Sequence, residues 1–277
     1  MSGVEDDSGA RAAIGASGAD MARIALACMD LTSLGEADTA LTVADLVARS
    51  RGRFGAPGAL CVWPRFVAQV RGSLQALHGA RAPRVAAVAN FPSGQEPLPA
   101  VLAQVRGIVA DGGHEVDMVL DWQALRTGDT HAGRAAAATV RAVRQACRGA
   151  VLKLIIESGS LQDPALIRQA CLIGLNEGVD FLKTSTGKTA VGATPQAARV
   201  MLECIASHPR GARVGFKASG GVRTVRDAAV YIGLVREILG VQACVPARFR
   251  IGASGLLDDV VSVLGGQASA SAAGASY

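Results

Sequence analysis

Eight short apolar runs, separated by stretches of helical spacing, constrain this chain more than any other feature. They fall at Ile24–Leu31, Leu60–Trp63, Val85–Ala89, Val116–Leu120, Val151–Glu157, Val179–Thr184, Val214–Lys217 and Phe249–Gly252. Most are built from valine, leucine, isoleucine and alanine and bounded by turn residues, the profile of strands buried on both faces. Between them the helix-start chemistry is explicit. Asp163-Pro164 and Thr194-Pro195 each set a capping side chain before a proline at the first helical position. Thr224-Val-Arg-Asp227 resembles a capping box, with Asp in the place usually held by Glu. Strands alternating with helices eight times over about 250 residues describe a single (β/α)₈ barrel of the α/β class. A doubly wound open sheet needs fewer strands and normally a glycine-rich turn after the first. Here Leu31-Thr-Ser-Leu follows the first run, and the glycine turns come late. The barrel is favoured.

The boundaries follow from where periodicity stops. Residues 1–20 are rich in Gly, Ala, Ser and Asp and read as a disordered lead-in, leaving 21–264 as the catalytic barrel. From Gly265 the sequence GGQASASAAGASY is low-complexity and reads as a flexible tail, ending on Tyr277. No apolar run approaches bilayer length, and no basic-then-apolar leader is visible, so the expectation is a cytoplasmic protein without membrane partners. The net charge of +5 comes from scattered arginines without aromatic interleaving, which argues against a nucleic-acid surface. Six widely spaced cysteines without CxxC spacing fit free thiols in a reducing compartment. Four histidines show no HxH or HExxH pattern, so no metal or cofactor is expected.

The lysines carry the chemistry. Of 28 basic residues only Lys153, Lys183, Lys188 and Lys217 are lysine. Arginine supplies charge and salt bridges equally well but cannot lose a proton to become an amine nucleophile. Lys183 ends the apolar run of GVDFLKTSTGK, where a buried strand opens into a polar loop. Side chains alternate along a strand, so placing Lys183 inward takes Phe181 and Val179 with it. The same step turns Lys217 inward with Gly215, whose missing side chain leaves room, and Lys153 with Val151 and Ile155. Asp117 turns inward with Val119, and Asp30 lies at the end of the first run. Asp30, Asp117 and Lys153 could serve simply as a buried ion network, but three lysines against two aspartates leave positive charge in excess. Crowding and burial both depress an amine pKa. An unperturbed lysine is neutral only on the order of one time in 2,500 at pH 7, so such a shift is what makes it a nucleophile. Glycine turns at Gly187-Lys188, Gly220-Gly221 and Gly252 to Gly255 follow the last three strands, and barrels commonly bind phosphate in the loops after strands seven and eight.

The blocks MDLTSL, CVWPRF, NFPSG, EVDMV, VLKLIIESG, FLKTSTGK, GFKASGGVRT and RFRIGAS together resemble, in order, the deoxyribose-phosphate aldolase family of class I aldolases, from about Met29 to Asp259. The resemblance implies reversible cleavage of 2-deoxyribose 5-phosphate to glyceraldehyde 3-phosphate and acetaldehyde. It implies that Lys183 forms a Schiff base, Lys217 perturbs it and Asp117 relays protons, with Asp30 and Lys153 in support. Gly187, Lys188, Gly220, Gly221, Ser254 and Gly255 would hold the phosphate, and Tyr277 would assist proton transfer. The family often has two serines where this chain reads GASG, so Gly255 offers only its backbone N–H. The expected partner is a small phosphorylated sugar, and the expected assembly a homo-oligomer, foremost a dimer. The residues also fit an aldolase of the same fold acting on another aldehyde, or a non-catalytic phosphosugar-binding barrel.

Overall fold

A computed structural model describes residues 17–78 and 82–267. Eight parallel strands form a closed barrel: β1 (Met29–Thr32), β2 (Ala59–Val62), β3 (Arg84–Ala89), β4 (Glu115–Val119), β5 (Val151–Ile155), β6 (Phe181–Lys183), β7 (Gly215–Ser219) and β8 (Phe249–Ala253). Each pairs with the next, and β8 closes onto β1 through Asp30 beside Gly252. Helices α1 (Gly18–Ala27), α2 (Ala40–Arg49), α3 (Val67–His78) and α4 (Leu98–Ala110) belong to the first half. The rest of the helical ring is α5 (Trp122–Arg126), α6 (Thr130–Ala146), α7 (Ser158–Leu161), α8 (Pro164–Asn176), α9 (Pro195–Ser207), α10 (Val225–Leu239) and α11 (Leu256–Leu264).

Strand alternation divides the apolar side chains into two bodies. Outward residues such as Leu60, Met118, Leu154, Leu182 and Phe216 pack under the helices in the main core. Inward residues Ala59, Cys61, Ala86, Val88, Val119 and Ile155 form a smaller core with Leu34 and Phe91. That inner core fills the β2–β5 side of the barrel. The rest of the interior, from β4 round to β1, is filled by charge.

The helix starts follow the caps expected of them. Asp163 accepts from the Ala165 N–H and Thr194 from the Ala197 N–H, each just before its proline. Thr224 and Asp227 close a reciprocal capping box. The N-terminal expectation needs correction. Ile24 to Ala27 lie in α1, not in a strand, and β1 begins at Met29. Ser17 and Asp20 form another capping box, and Met21, Ala22, Ala25 and Leu26 bury one helical face, with α1 packed on α10 and α11. An apolar run abutting a strand hides such a helix, since the apolar residues of its last turn continue without a break into β1. Residues 17–20 are therefore the cap and first turn of α1. Asp30 is the second residue of β1, near its start. At the other end Gly265, Gly266 and Gln267 still donate to carbonyls of the α11 turns. Tyr277 lies outside the described residues.

Candidate active site

The β4–β8 side of the barrel, together with β1, carries a continuous cage of buried charge. Register sets the layers: Asp117 neighbours Lys153, Ile155 neighbours Lys183, and Lys183 neighbours Lys217. Lys183 Nζ donates to Asp117 Oδ2 at 2.9 Å, and Lys217 Nζ donates to the same oxygen at 2.7 Å. Lys217 also reaches Asp30 Oδ2 at 2.5 Å. Lys153 Nζ touches three carboxylates, Asp117 at 2.8 Å, Asp30 at 3.1 Å and Glu115 at 2.5 Å. Below them Arg250 bridges Asp30 and Glu115, with Nη1 2.5 Å from Asp30 Oδ1 and Nη2 2.7 Å from Glu115 Oε1.

These buried charges do not balance. Four buried cations (Lys153, Lys183, Lys217 and Arg250) meet three buried carboxylates, Asp30, Glu115 and Asp117. Arg84 also reaches Glu115, but it is half-exposed and its charge is screened by solvent. Burying an unpaired charge is expensive, so the cage is neutral only when one lysine gives up its proton. Lys183 has one carboxylate partner, Lys217 two and Lys153 three. The pKa directions follow that order. Burial, then the Lys217 charge, push Lys183 below the ordinary lysine value against the pull of Asp117. Burial also disfavours charge on Lys217 and Lys153, but their carboxylates outweigh it and both move upward. Burial is likewise overcome at Asp30, Glu115 and Asp117, where the surrounding lysines hold the carboxyls below their usual range.

Space in the cage is made by glycine. A Cβ on Gly252 would stand 3.0 Å from Lys217 Cε and 2.5 Å from Ser219 Oγ, so Gly252 clears the path of Lys217. Gly215, expected to leave room for Lys217, instead accommodates the Phe181 ring, 2.2 Å from where its Cβ would be.

Above Lys183 opens a cavity of about 390 Å³. Its wall comes from Thr32 to Gly35 at the end of β1, Thr186 to Lys188 after β6, Ser219 to Arg223 at the end of β7 and Gly252 to Gly255 at the end of β8. Gly220 and Gly221 have φ of 86° and 85°, a left-handed pair that glycine adopts without a Cβ penalty. Among the described residues, the N–H groups of Gly187, Gly220 and Gly221 have no hydrogen-bond partner. Unspent donors lining a cavity with Lys188 and Arg223 suit an anion.

Residues 24–255 match the model of the DeoC/LacD family aldolases. The chain belongs to this aldolase family. A curated deoxyribose-phosphate aldolase of Agrobacterium fabrum (strain C58 / ATCC 33970) is 44% identical over 255 residues, covering 92% of this chain and 95% of the relative. Among solved structures, the tetrameric deoxyribose phosphate aldolase of Aeropyrum pernix superposes with a TM-score of 0.69 at 25% identity, over 89% of this chain and 93% of that one. An apo-form structure from Toxoplasma gondii ME49 shares the fold with a TM-score of 0.83 at 22% identity, over 91% and 98% of the two chains. The protein is thus a lyase of the aldolase type. Among the described residues no helix is long and apolar enough to cross a membrane, and all six cysteines are free thiols.

Every sequence-derived site residue within the described residues falls in the cage or on the cavity wall: Asp30, Asp117, Lys153, Lys183 and Lys217 below, and Gly187, Lys188, Gly220, Gly221, Ser254 and Gly255 above. Sequence reasoning missed three residues. Glu115 and Arg250 complete the cage, and Arg223 lines the cavity. Alternation from Asp117 already points Glu115 inward, and Arg250 stands beside Lys217 in register. Arg223 closes the GGVR turn that presents the glycine donors.

Proposed function

We propose that this aldolase reversibly cleaves 2-deoxy-D-ribose 5-phosphate into D-glyceraldehyde 3-phosphate and acetaldehyde, through a Schiff base on Lys183. One observation carries the reading. The buried cage balances when one lysine is neutral, and Lys183, at the cavity floor, is the lysine with fewest carboxylate partners. The reaction named for the Agrobacterium relative supports the substrate assignment.

The neutral amine of Lys183 attacks C1 of the open-chain sugar, and loss of water leaves a protonated iminium. Removal of the C3 hydroxyl proton breaks the C2–C3 bond. Its electron pair moves into the iminium to give an enamine, and C3 leaves as the aldehyde of glyceraldehyde 3-phosphate. Protonation of the enamine at C2 and hydrolysis return acetaldehyde and the free amine. Asp117, hydrogen-bonded to both Lys183 and Lys217, is the relay through which protons reach the reacting atoms by way of water. Lys217 keeps the Lys183 pKa low, and Lys153 and Asp30 hold Asp117 and Lys217 in place. The phosphate occupies the donors of Gly187, Gly220, Gly221 and Gly255, beside Lys188 and Ser254. Tyr277 is assigned a part in proton exchange at the enamine carbon.

The test is borohydride reduction in the presence of acetaldehyde, followed by peptide mass mapping. Lys183 acquires the ethyl group in the wild type, and Lys183→Arg folds, loses turnover and takes up no label. Label on Lys153 or Lys188 instead would overturn the assignment.

A further inference from the structure

Among the described residues, Glu157 is the one buried charged side chain that the cage leaves out. It is fully buried, and among the described residues no cation contacts it. Its backbone is held in the left-handed region, φ 51° and ψ 54°, which a non-glycine residue occupies only when its surroundings require it. It stands at the start of the four-residue α7 yet makes no side-chain capping bond to that helix. Its carboxylate bonds instead cross to the loop after β6. The Thr186 N–H donates to both oxygens at 3.3 and 3.2 Å, Thr186 Oγ1 donates at 2.6 Å and Thr189 Oγ1 at 3.2 Å.

These bonds surround the anion-facing turn. Thr186 Oγ1 accepts in turn from the Lys188 N–H at 3.0 Å, so Gly187 is pinned on both sides while its own N–H stays free for the cavity. The loop is also pressed onto α7. A Cβ on Gly159 would lie 2.0 Å from the Val191 carbonyl oxygen, leaving the loop no room to retreat. Buried carboxylates persist only where donors satisfy them, so loop and carboxylate fix each other.

We propose that Glu157 is a positioning residue that shapes the Thr186–Thr189 turn so that Gly187 and Lys188 meet the substrate phosphate. This rests on the phosphate reading given above. Glu157→Gln tests it, because the amide keeps the volume but sets an NH₂ where an acceptor is needed. KM for deoxyribose 5-phosphate and the inhibition constant of inorganic phosphate should both rise roughly tenfold, the scale of one charge-assisted hydrogen bond. Turnover of unphosphorylated deoxyribose and acetaldehyde–borohydride labelling of Lys183 should stay within about twofold. Thr189→Val, which removes one donor without touching the carboxylate, should move the same two constants by about threefold and carries the test if Glu157→Gln fails to fold. Unchanged phosphate constants in the folded variants, or an equal loss on both sugars, would overturn the proposal. A wild-type enzyme that binds the two sugars equally well would instead overturn the phosphate reading, and this proposal with it.

Discussion

Replacing Lys217 by leucine tests how the nucleophile is tuned. Lys183 and Lys217 donate to the same oxygen of Asp117, at 2.9 and 2.7 Å, so their nitrogens stand within about 6 Å of each other. Two positive charges at that distance repel by about 3 kcal/mol at an effective dielectric constant near 20, equivalent to about two pK units. Asp117 attracts Lys183 from β4, while Lys217 opposes it from β7 and buried Cys61 lies nearby on β2. Removing Lys217 therefore abolishes the repulsion and frees Asp117 of one competing cation, and both effects raise the Lys183 pKa. The charge count leads to the same place, because three carboxylates facing Lys153, Arg250 and Lys183 balance only when Lys183 is charged. The reactive form is the neutral amine, so activity is lost as pH falls through this pKa. In Lys217→Leu the acidic limb of kcat/KM should move to higher pH by about one to two units. Lys217→Arg retains a permanent charge, so its limb should stay near the wild-type position while rate falls, since Gly252 and Ser219 leave no room for a guanidinium. The assay is the pH–rate profile of retro-aldol cleavage, paired with the pH dependence of borohydride labelling at Lys183. If both variants keep the wild-type limb while turnover drops, Lys217 acts by proton transfer and the electrostatic argument is wrong.

Ser254 is exposed on the cavity wall, and a carboxylate there repels a phosphate. Ser254→Glu should raise KM for deoxyribose 5-phosphate by about tenfold or more and leave unphosphorylated deoxyribose nearly unaffected; equal effects would place the phosphate elsewhere. The cage also sets acid stability. Asp30, Glu115 and Asp117 titrate below their ordinary values, so the stability they contribute is complete above the unfolded carboxylate range and is lost as pH falls through the lower folded values. Three such groups give a slope of up to about 4 kcal/mol per pH unit below about pH 4, which thermal melts between pH 2 and 6 would measure. A steep loss already between pH 5 and 6 would contradict it, and Glu115→Gln should flatten the acid slope.

The barrel was legible because eight buried strands leave eight apolar runs, and because two helix starts carry an Asx or Thr cap before proline. The orientation of Lys183, Lys217, Lys153 and Asp117 was legible for a simpler reason. Strand alternation has a period of two, so one inward residue fixes its neighbours. What alternation cannot supply is contact between strands distant in sequence. Arg250 reaches Glu115 across 135 positions of chain, and their pairing shows only once β8 closes the barrel. Ile24 to Ala27 failed for the opposite reason: the local pattern was visible, but an apolar stretch running into a strand carries no period to separate helix from strand. Gly215 was placed inward correctly, yet its space belongs to the Phe181 ring, a matter of packing that spacing does not encode.

The charge balance proposed to make Lys183 nucleophilic also bears on the bond-breaking step of the proposed reaction. With Lys183 as an amine the cage is neutral; once the protonated iminium forms, one positive charge stands unbalanced at the cavity floor, 2.9 Å or so from the carboxylate of Asp117. In a buried site such an excess is costly. Cleavage of the C2–C3 bond delivers an electron pair to that nitrogen, giving a neutral enamine and restoring the balance. An interior carrying a fourth carboxylate would have held Lys183 as an ammonium and stabilised the iminium against accepting electrons. One carboxylate fewer, with all lysines retained, would have left Lys217 competing to lose its proton. In the proposed mechanism, three carboxylates against four cations favour both amine formation and electron uptake at one nitrogen, and the gradient of partners from Lys153 to Lys183 points to Lys183 as that nitrogen.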